Sequence, residues 1–362
     1  MAEALQPFEI NAELETYLDE GAVRARLLGN RGPLRFVGGR LDPAILDSYW
    51  DHGFYIFENV LQADELADIA AELDAFLERR PVTRGASVDA NGRPAIGSEF
   101  ALPMFNMVRP LSDPVGGTGQ NNGRHPARMT EYQPADDAPE FVVYHVMGML
   151  QGLDSALRLY GHPQLLAVAE AINGADFTPF GDGLWIKDPG LGASVAWHQD
   201  GTTHWESPDL DAGTHGFNFM AQLVATNPVN ALWVVPGTHT RGKLDIKAMV
   251  DANGSDRLPD AVPMLCEAGD VAICNRQVLH GSFPNTSVEK RITFVFGFHR
   301  RRSVHGLEVE RRGKTVRYDD HYIHERSRIV QLAIDARHHR FPDETPYTYQ
   351  PLAGEEDENR WN

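Results

Sequence analysis

The sequence predicts a mainly β chain, a jelly roll flanked by helices, and three observations carry that expectation. From residue 183 to 298, short apolar runs recur with turn signals between most of them, the pattern of many short strands. Helical periodicity is confined to stretches outside that block, chiefly before residue 80 and over 140–175. Between those two stretches, residues 81–139 lose periodicity and fill with Gly, Pro, Asn and Asp.

Taken in order, Asp42-Pro43 reads as a helix N-cap followed by proline at the first helical position, and Gly53 as the stop of that helix. Phe54-Tyr55-Ile56-Phe57 reads as a short strand. Leu66, Ile69, Ala70, Leu73, Phe76 and Leu77 recur at helical spacing and predict an amphipathic helix over 63–79. The segment 81–139, with Asp89-Ala90-Asn91-Gly92, Gly116-Gly117 and Asn121-Asn122-Gly123, is too long for a plain connector and is expected to act as a lid. Two helices are expected next, over 140–160 and 163–173, the second opened by Pro163 and closed by Asn173-Gly174. The expected strands are 184–186, 194–197, 217–224, 232–235, 271–274 and 292–298, with turns at Pro236-Gly237 and Ala268-Gly269-Asp270. In the tail a helix is expected over 321–338, and the acidic end Glu355-Glu356-Asp357-Glu358 is expected to be frayed. The whole is expected to be a single domain, 1–362: a helical N-terminal region 1–80, the insert 81–139, helices 140–175, a jelly-roll core 180–300 and a C-terminal extension 301–362.

The apolar fraction of 42% supports an ordinary buried core. No apolar run reaches the roughly 18 residues of a membrane span. The opening MAEALQPFEINAELE lacks the basic and apolar regions of an export signal. Cys266 and Cys274 are the only cysteines, too few for a disulfide framework, so a reducing, cytoplasmic setting away from membranes is expected. A formal charge of −18 repels phosphate backbones, so nucleic acid is not an expected partner. It leaves a small anion open, because one arginine can dominate a pocket. The run His299-Arg300-Arg301-Arg302 reads as a solvated strand end.

Residues i and i+2 of an extended chain point to the same side, so a His-x-Asp pair at a strand end offers two ligands to one metal. A distant His completes the two-histidine, one-carboxylate face of iron(II) oxygenases. His198-Gln199-Asp200 follows a predicted strand. His204-Trp205-Glu206 has the same form, and with fifteen histidines about one or two such triplets arise by chance, so spacing does not rank them. The later segment Val278-Leu279-His280-Gly281-Ser282-Phe283-Pro284-Asn285, followed by Arg291 at the start of a strand, is more informative. A His ending one strand and an Arg opening the next can face one cavity. The guanidinium offers a planar fork for a carboxylate, with the Ser282 hydroxyl beside it. His239, in Pro236-Gly237-Thr238-His239, reads as a turn-stabilising histidine, and His338-His339 as a solvated helix end.

In Trp197-His198-Gln199-Asp200, Val235-Pro236-Gly237-Thr238-His239, Glu267-Ala268-Gly269-Asp270, and His280-Gly281-Ser282 with Asn285 and Arg291, the chain resembles the phytanoyl-CoA dioxygenase family of iron(II)/2-oxoglutarate enzymes. The stretch from His52-Gly53-Phe54 to Val60-Leu61 matches the family's entry segment, and the resemblance spans roughly 45–80 and 180–300. It implies a cupin-like double-stranded β-helix and a dioxygenase. With Fe(II), 2-oxoglutarate and O₂, such an enzyme hydroxylates or otherwise oxidises a C–H bond of a small organic molecule, releasing succinate and CO₂. It implies His198, Asp200 and His280 as catalytic metal ligands, Arg291 on the distal carboxylate of 2-oxoglutarate with Ser282 beside it, and Lys187, in Trp185-Ile186-Lys187-Asp188-Pro189, as a cosubstrate contact. Trp185, His204 and Trp205 are candidates for the substrate pocket. Where the family often has Asn-Gly before the Pro-Gly-Thr-His strand, this chain has Pro228-Val229-Asn230-Ala231, and neither the insert nor the tail matches a family feature. Two rival readings stand beside this one. A halogenase-type variant lacks the carboxylate that Asp200 supplies, and a non-catalytic cupin-like metal binder has no need of a fork such as Arg291.

Overall fold

The structure is a computed structural model, and it describes residues 12–100, 102–201, 205, 215–311 and 314–361. The N-terminal region holds α1 (Ala12–Leu28), the short strands β1 (Arg31–Pro33), β2 (Phe36–Val37) and β3 (Arg40–Leu41), α2 (Pro43–His52), β4 (Phe54–Glu58) and α3 (Ala63–Glu78). Next come β5 (Phe105–Val108), β6 (Val142–Met147), α4 (Met149–Gly152), α5 (Asp154–Tyr160) and α6 (Pro163–Asn173). The core strands are β7 (Thr178–Lys187), β8 (Val195–His198), β9 (Gly216–Gln222) and β10 (Trp233–Val235), then, after α7 (Ile246–Asn253), β11 (Val262–Pro263), β12 (Val271–Asn275), β13 (Leu279–Ser282) and β14 (Arg291–His299). The hairpin β15 (Glu308–Arg311) and β16 (Lys314–Arg317) leads into α8 (Asp320–Arg340).

Helix α2 shows how closely local chemistry sets the boundaries. The Asp42 carboxylate accepts from the Ala44 amide, Pro43 occupies the first turn, and Gly53 ends the helix at φ 82°, a left-handed conformation that favours glycine. That stop feeds directly into β4.

Strands β1-β4-β12-β9-β14-β7-β6-β5 form one large sheet and β11-β10-β13-β8 a smaller one, the two sheets of a mainly β jelly roll. The alternation along each strand explains the layering. In β14, Phe294, Phe296 and Phe298 face the helices, where Leu157 and Tyr160 of α5, Leu166 of α6 and Val330 and Ile334 of α8 complete an apolar core. Phe217 and Phe219 of β9 and Leu184 and Ile186 of β7 join them. The opposite faces meet the small sheet: Phe54, Ile56, Met220, Ala272 and Cys274 pack with Val234, Val262 and Val278. Sheet strands covered on both sides read as nearly continuous apolar runs, and that is how these segments read.

Several boundaries differ from expectation. Residues 142–147 form strand β6, paired with both β5 and β7, rather than the start of a helix. The run Val142-Val143-Tyr144 is β-branched and aromatic, and tertiary pairing decides such a segment. The insert contributes β5, and β4 from the nominally helical N-terminal region lies beside β12, so the sheet reaches well outside 180–300. The acidic end is docked rather than frayed: Asn359 is 2% exposed and accepts from Arg328 Nε at 2.6 Å, and His324 Nε2 lies 2.9 Å from Glu355. His299 is buried at the end of β14, and Arg300 donates to the Ile172 carbonyl, so this basic run is only partly solvated. Among the described residues no helix is long and apolar enough to cross a membrane.

Gly161, just after α5, marks a close crossing in the helical layer, because a Cβ there would collide with the Ala333 carbonyl in α8. Gly161→Ala is expected to destabilise the protein by about 2 kcal/mol through overpacking. Urea unfolding checks it: the midpoint should fall with an unchanged slope, and an unmoved midpoint would show that the crossing has slack.

Candidate metal centre

Strand β8 ends on His198, and its antiparallel partner β13 places His280 directly opposite. The two rings stand 4.1 Å apart, centroid to centroid. Each Nδ1 lies 2.9 Å from the carbonyl two residues earlier, Ala196 for His198 and Val278 for His280. A carbonyl only accepts, so each Nδ1 carries the proton and each Nε2 keeps its lone pair. Asp200 follows two residues after His198, held by its amide to the Arg276 carbonyl at 2.7 Å. Its Oδ1 is 3.5 Å from His198 Nε2, and its Oδ2 is 3.9 Å from His280 Nε2. One ligand atom from each of the three residues falls within 4.8 Å of the others, and all three are buried. Two imidazole nitrogens and one carboxylate oxygen make a donor set suited to ferrous iron.

The carboxylate is oriented from β9 and β14. Asn218 Nδ2 donates to Asp200 Oδ2 at 2.7 Å, and Arg276 Nη1 donates to Asn218 Oδ1 at 3.3 Å. Gly297 leaves room for that carboxamide, since a Cβ there would collide with Asn218 Oδ1. Burial disfavours the charge on Asp200, but His198, Arg276 and Arg124 outweigh it and hold the carboxyl well below the usual range. Burial, then His198, depresses His280 to about 3, which keeps its imidazole neutral.

Arg291 opens β14 opposite Lys187 of β7 and is 3% exposed. Its Nη1 donates to the Asn230 carbonyl at 2.8 Å, whereas its Nε is buried without a partner. Ser282 Oγ is likewise buried and unpartnered. Such groups cost about 1–3 kcal/mol each unless something binds them. Lys187, expected as a cosubstrate contact, is engaged elsewhere: Nζ donates to the carbonyls of Ala193 at 2.7 Å and Phe283 at 2.5 Å. Burial, then Arg291, pulls it well below the usual lysine range. The bond to Phe283 also ties the Arg291 end of β14 to the residue after Ser282. His239 is buried, with Nε2 2.9 Å from the Trp50 carbonyl, a structural contact.

A cleft of about 970 Å³ opens onto Asp200 and Asn218. Trp185 forms one wall, its ring 4.4 Å from His145 and 4.9 Å from Tyr144. Phe100, on the rim, is 57% exposed. Trp205 is half-buried and is not among the lining residues; His204 and Glu206, the outer members of the rival triplet, lie outside the described residues. A second cleft of about 690 Å³ lies around Arg337 on the helical side, and there Glu65 and Glu344 already engage the arginine.

Two residues of the centre escaped the sequence reading. Arg124 Nη1 sits 3.2 Å from Asp200 Oδ1, and the His125 ring lies 4.3 Å from that of His198. Both come from the insert. Burial, then His198 and Arg124, drives His125 far below its usual value, so it backs His198 as a neutral ring. The signal in the sequence was Asn121-Asn122-Gly123, a cluster tolerant of left-handed backbone directly before them.

Residues 49–293 match the family model described as Phytanoyl-CoA dioxygenase (PhyH). Phytanoyl-CoA dioxygenase 1 of Oryza sativa subsp. japonica is 30% identical over 113 residues, 29% of this chain. That match spans 39% of the rice protein's length. Among solved structures, the non-heme alpha ketoglutarate dependent carbocyclase SnoK from nogalamycin biosynthesis is 16% identical, with TM-score 0.49, covering 87% of this chain and 94% of its own. The epimerase SnoN of the same biosynthesis gives 20%, 0.48, 75% and 88%. EctD from S. alaskensis with bound Fe gives 17%, 0.49, 74% and 80%.

Asn218→Ala removes the carboxamide that orients Asp200 while leaving all three candidate ligands. Divalent-metal affinity is expected to fall about 10–100-fold, as for other lost outer partners of metal ligands. Anaerobic calorimetry with Fe(II) measures this, and equal affinity would mean that Asp200 needs no such support.

Proposed function

This chain belongs to the phytanoyl-CoA dioxygenase family, and from that premise we propose that it is a 2-oxoglutarate-dependent iron(II) oxygenase. Its reaction is hydroxylation, or a related oxidation, of a C–H bond in a small organic molecule, with release of succinate and CO₂. One observation carries the reading: Arg291 Nε and Ser282 Oγ are buried donors without partners, Ser282 lies two residues beyond His280 on β13, and His280 gathers with His198 and Asp200 while a cleft opens onto Asp200. A protein that only stored metal would gain nothing from buried donors left without an acceptor. A dicarboxylate chelating the metal at one end and ending on these donors at the other accounts for both.

In this reading His198, Asp200 and His280 hold ferrous iron on one face. The bound iron, with 2-oxoglutarate and O₂, supplies the oxidising power. The chain does the rest. Ala196 and Val278 carbonyls fix the tautomers that present Nε2. Asn218 donates to one oxygen of Asp200 and so fixes the orientation in which the carboxylate would meet the metal. The Asn230 carbonyl anchors one edge of Arg291 and leaves the remaining N–H groups for the distal carboxylate, with Ser282 adding a hydroxyl bond. The cleft walls, Trp185 foremost, place one C–H bond near the iron and keep water from it. With iron bound, Asp200 would fill the coordination position that a halogenase-type variant would give to halide, which supports oxidation over halogenation.

His280→Ala is expected to abolish iron binding and turnover together, because two remaining ligands hold Fe(II) poorly. Full iron occupancy in that variant would rule out His280 as a ligand. Arg291→Lys keeps the charge but loses the fork, and should raise the 2-oxoglutarate requirement about tenfold with iron binding unchanged. Titrating the visible charge-transfer band of the anaerobic Fe(II) complex with 2-oxoglutarate reads this directly. An unchanged titration would remove Arg291 from the cosubstrate site.

A further inference from the structure

Arg124 reaches the centre on a strained turn. Asn121, Asn122 and Gly123 hold φ of 50°, 57° and 68°, three successive left-handed residues of the two types that best tolerate that conformation, though a run of three is costly. The turn delivers His125 against the back of His198 and Arg124 Nη1 to Asp200 Oδ1 at 3.2 Å. Asp200 is its only carboxylate partner among the described residues, and Arg124 Nε is buried with no partner.

Oδ1 is also one of the two oxygens that a metal between the histidines can take, Oδ2 lying 3.9 Å from His280 Nε2. Oδ2 is already bonded by Asn218, and Oδ1 is the one facing His198 Nε2 at 3.5 Å. A divalent ion held through Oδ1 repels the guanidinium across that oxygen and weakens the Arg124–Asp200 pair. The charges then leave Arg124 over. On the reading above, the ion's two charges meet Asp200 and the inner carboxylate of 2-oxoglutarate, and Arg291 meets the outer carboxylate. Arg276, the other cation beside Asp200, lies over the Phe180 ring at 3.7 Å and does not line the cleft, whereas Arg124 does. Arg326, elsewhere in the cleft, donates to the Phe180 carbonyl and the Tyr322 hydroxyl. The cleft that Arg124 lines also carries the apolar Phe100, Leu102, Met104 and Trp185, together with the acidic Asp182 and Glu325; Asp182 already accepts from the Met149 and Leu150 amides.

We propose that Arg124 is an anion-binding residue unmasked by the metal, and that the substrate is an amphiphilic carboxylate whose acid group pairs with Arg124 while its apolar body lies along the cleft. This rests on the oxygenase reading and names the class of molecule that the site takes. Metal-free protein holds Arg124 on Asp200 and binds the acid poorly; metal and acid then bind with positive coupling.

The test uses Mn(II), which allows binding without turnover, 2-oxoglutarate, and octanoate as the probe, with 1-octanol as its uncharged counterpart, all by calorimetry. Wild-type protein loaded with Mn(II) and 2-oxoglutarate should bind octanoate about tenfold tighter than metal-free protein, and 1-octanol should show no such dependence. Arg124→Gln should lose the coupling and bind Mn(II) more tightly than wild type, since the charge that repels the ion is gone; that binding also reports an intact fold. Arg124→Lys should keep some of the coupling. Octanoate that fails to bind the loaded wild type, or coupling that survives in Arg124→Gln, overturns the proposal, the second outcome moving the anion to the metal or to Arg326. If Arg124→Gln weakens 2-oxoglutarate and leaves octanoate untouched, the carboxylate is the cosubstrate's and the substrate claim is wrong. If wild type binds neither Mn(II) nor 2-oxoglutarate, the first titration shows it, and the oxygenase reading falls with this one.

Discussion

Residues directly opposite in an antiparallel pair carry Cβ atoms about 5 Å apart. Strands β8 and β13 put His198 and His280 at such a position. The register of that one pair governs the centre. A slip of one residue in either strand would turn that strand's ring to the far face of the small sheet and part the pair, because side chains alternate with a period of two. Asp200, two residues beyond the strand end, would lose its place between them. The register is secured by burial on both sides: Ala196 and Trp197 on β8 and Leu279 on β13 belong to the same apolar cluster as Trp233 of the neighbouring β10.

The large sheet solves a different problem. Its inner face carries polar side chains that no apolar core would tolerate, including Asn218, Gln222, Lys187, Arg291 and Thr293. Most are satisfied by one another or by backbone, as Thr293 is by Gln222 at 2.8 Å and Lys187 by two carbonyls. The phenylalanines of β9 and β14 on the opposite face, packed under the helices, provide the stability that lets the inner face be polar. The helical layer thus supports the centre from behind the sheet, and Tyr160 of α5 and Arg326 of α8 also line the cleft.

What could be read from the sequence follows the range of the forces involved. The limits of α2 were legible because Asp42, Pro43 and Gly53 act within one turn. The pairing of His198 with Asp200 left a mark because a strand end imposes a period of two, but the same mark at His204 and Glu206 meant that the distant His280, rather than spacing, had to single it out. β6 was misread because a short β-branched and aromatic run takes the conformation that its neighbours impose, and β5 and β7 were out of sight. The bonds of Lys187 could not be read because its partners are backbone carbonyls, which leave no mark on residue types. Arg124 and His125 were missed because an aperiodic segment gives no hint of what it will touch, and Asp200 is far from them along the chain. The docking of Asn359 on Arg328 is of the same kind.

Gly297 gives the molecule a tension between durability and chemistry. Glycine inside a strand weakens it by roughly 0.5–1 kcal/mol through lost entropy and absent packing. By the measure of folding alone, a valine or threonine would be the better choice in the middle of β14. The structure refuses that choice, because any side chain would displace the Asn218 carboxamide that steadies Asp200. The residue that best holds the sheet and the residue that best serves the carboxylate are therefore different at this position. A breeding or design effort that rewards heat resistance alone would be drawn to position 297, and each gain there would be taken from the centre the sheet was built to support.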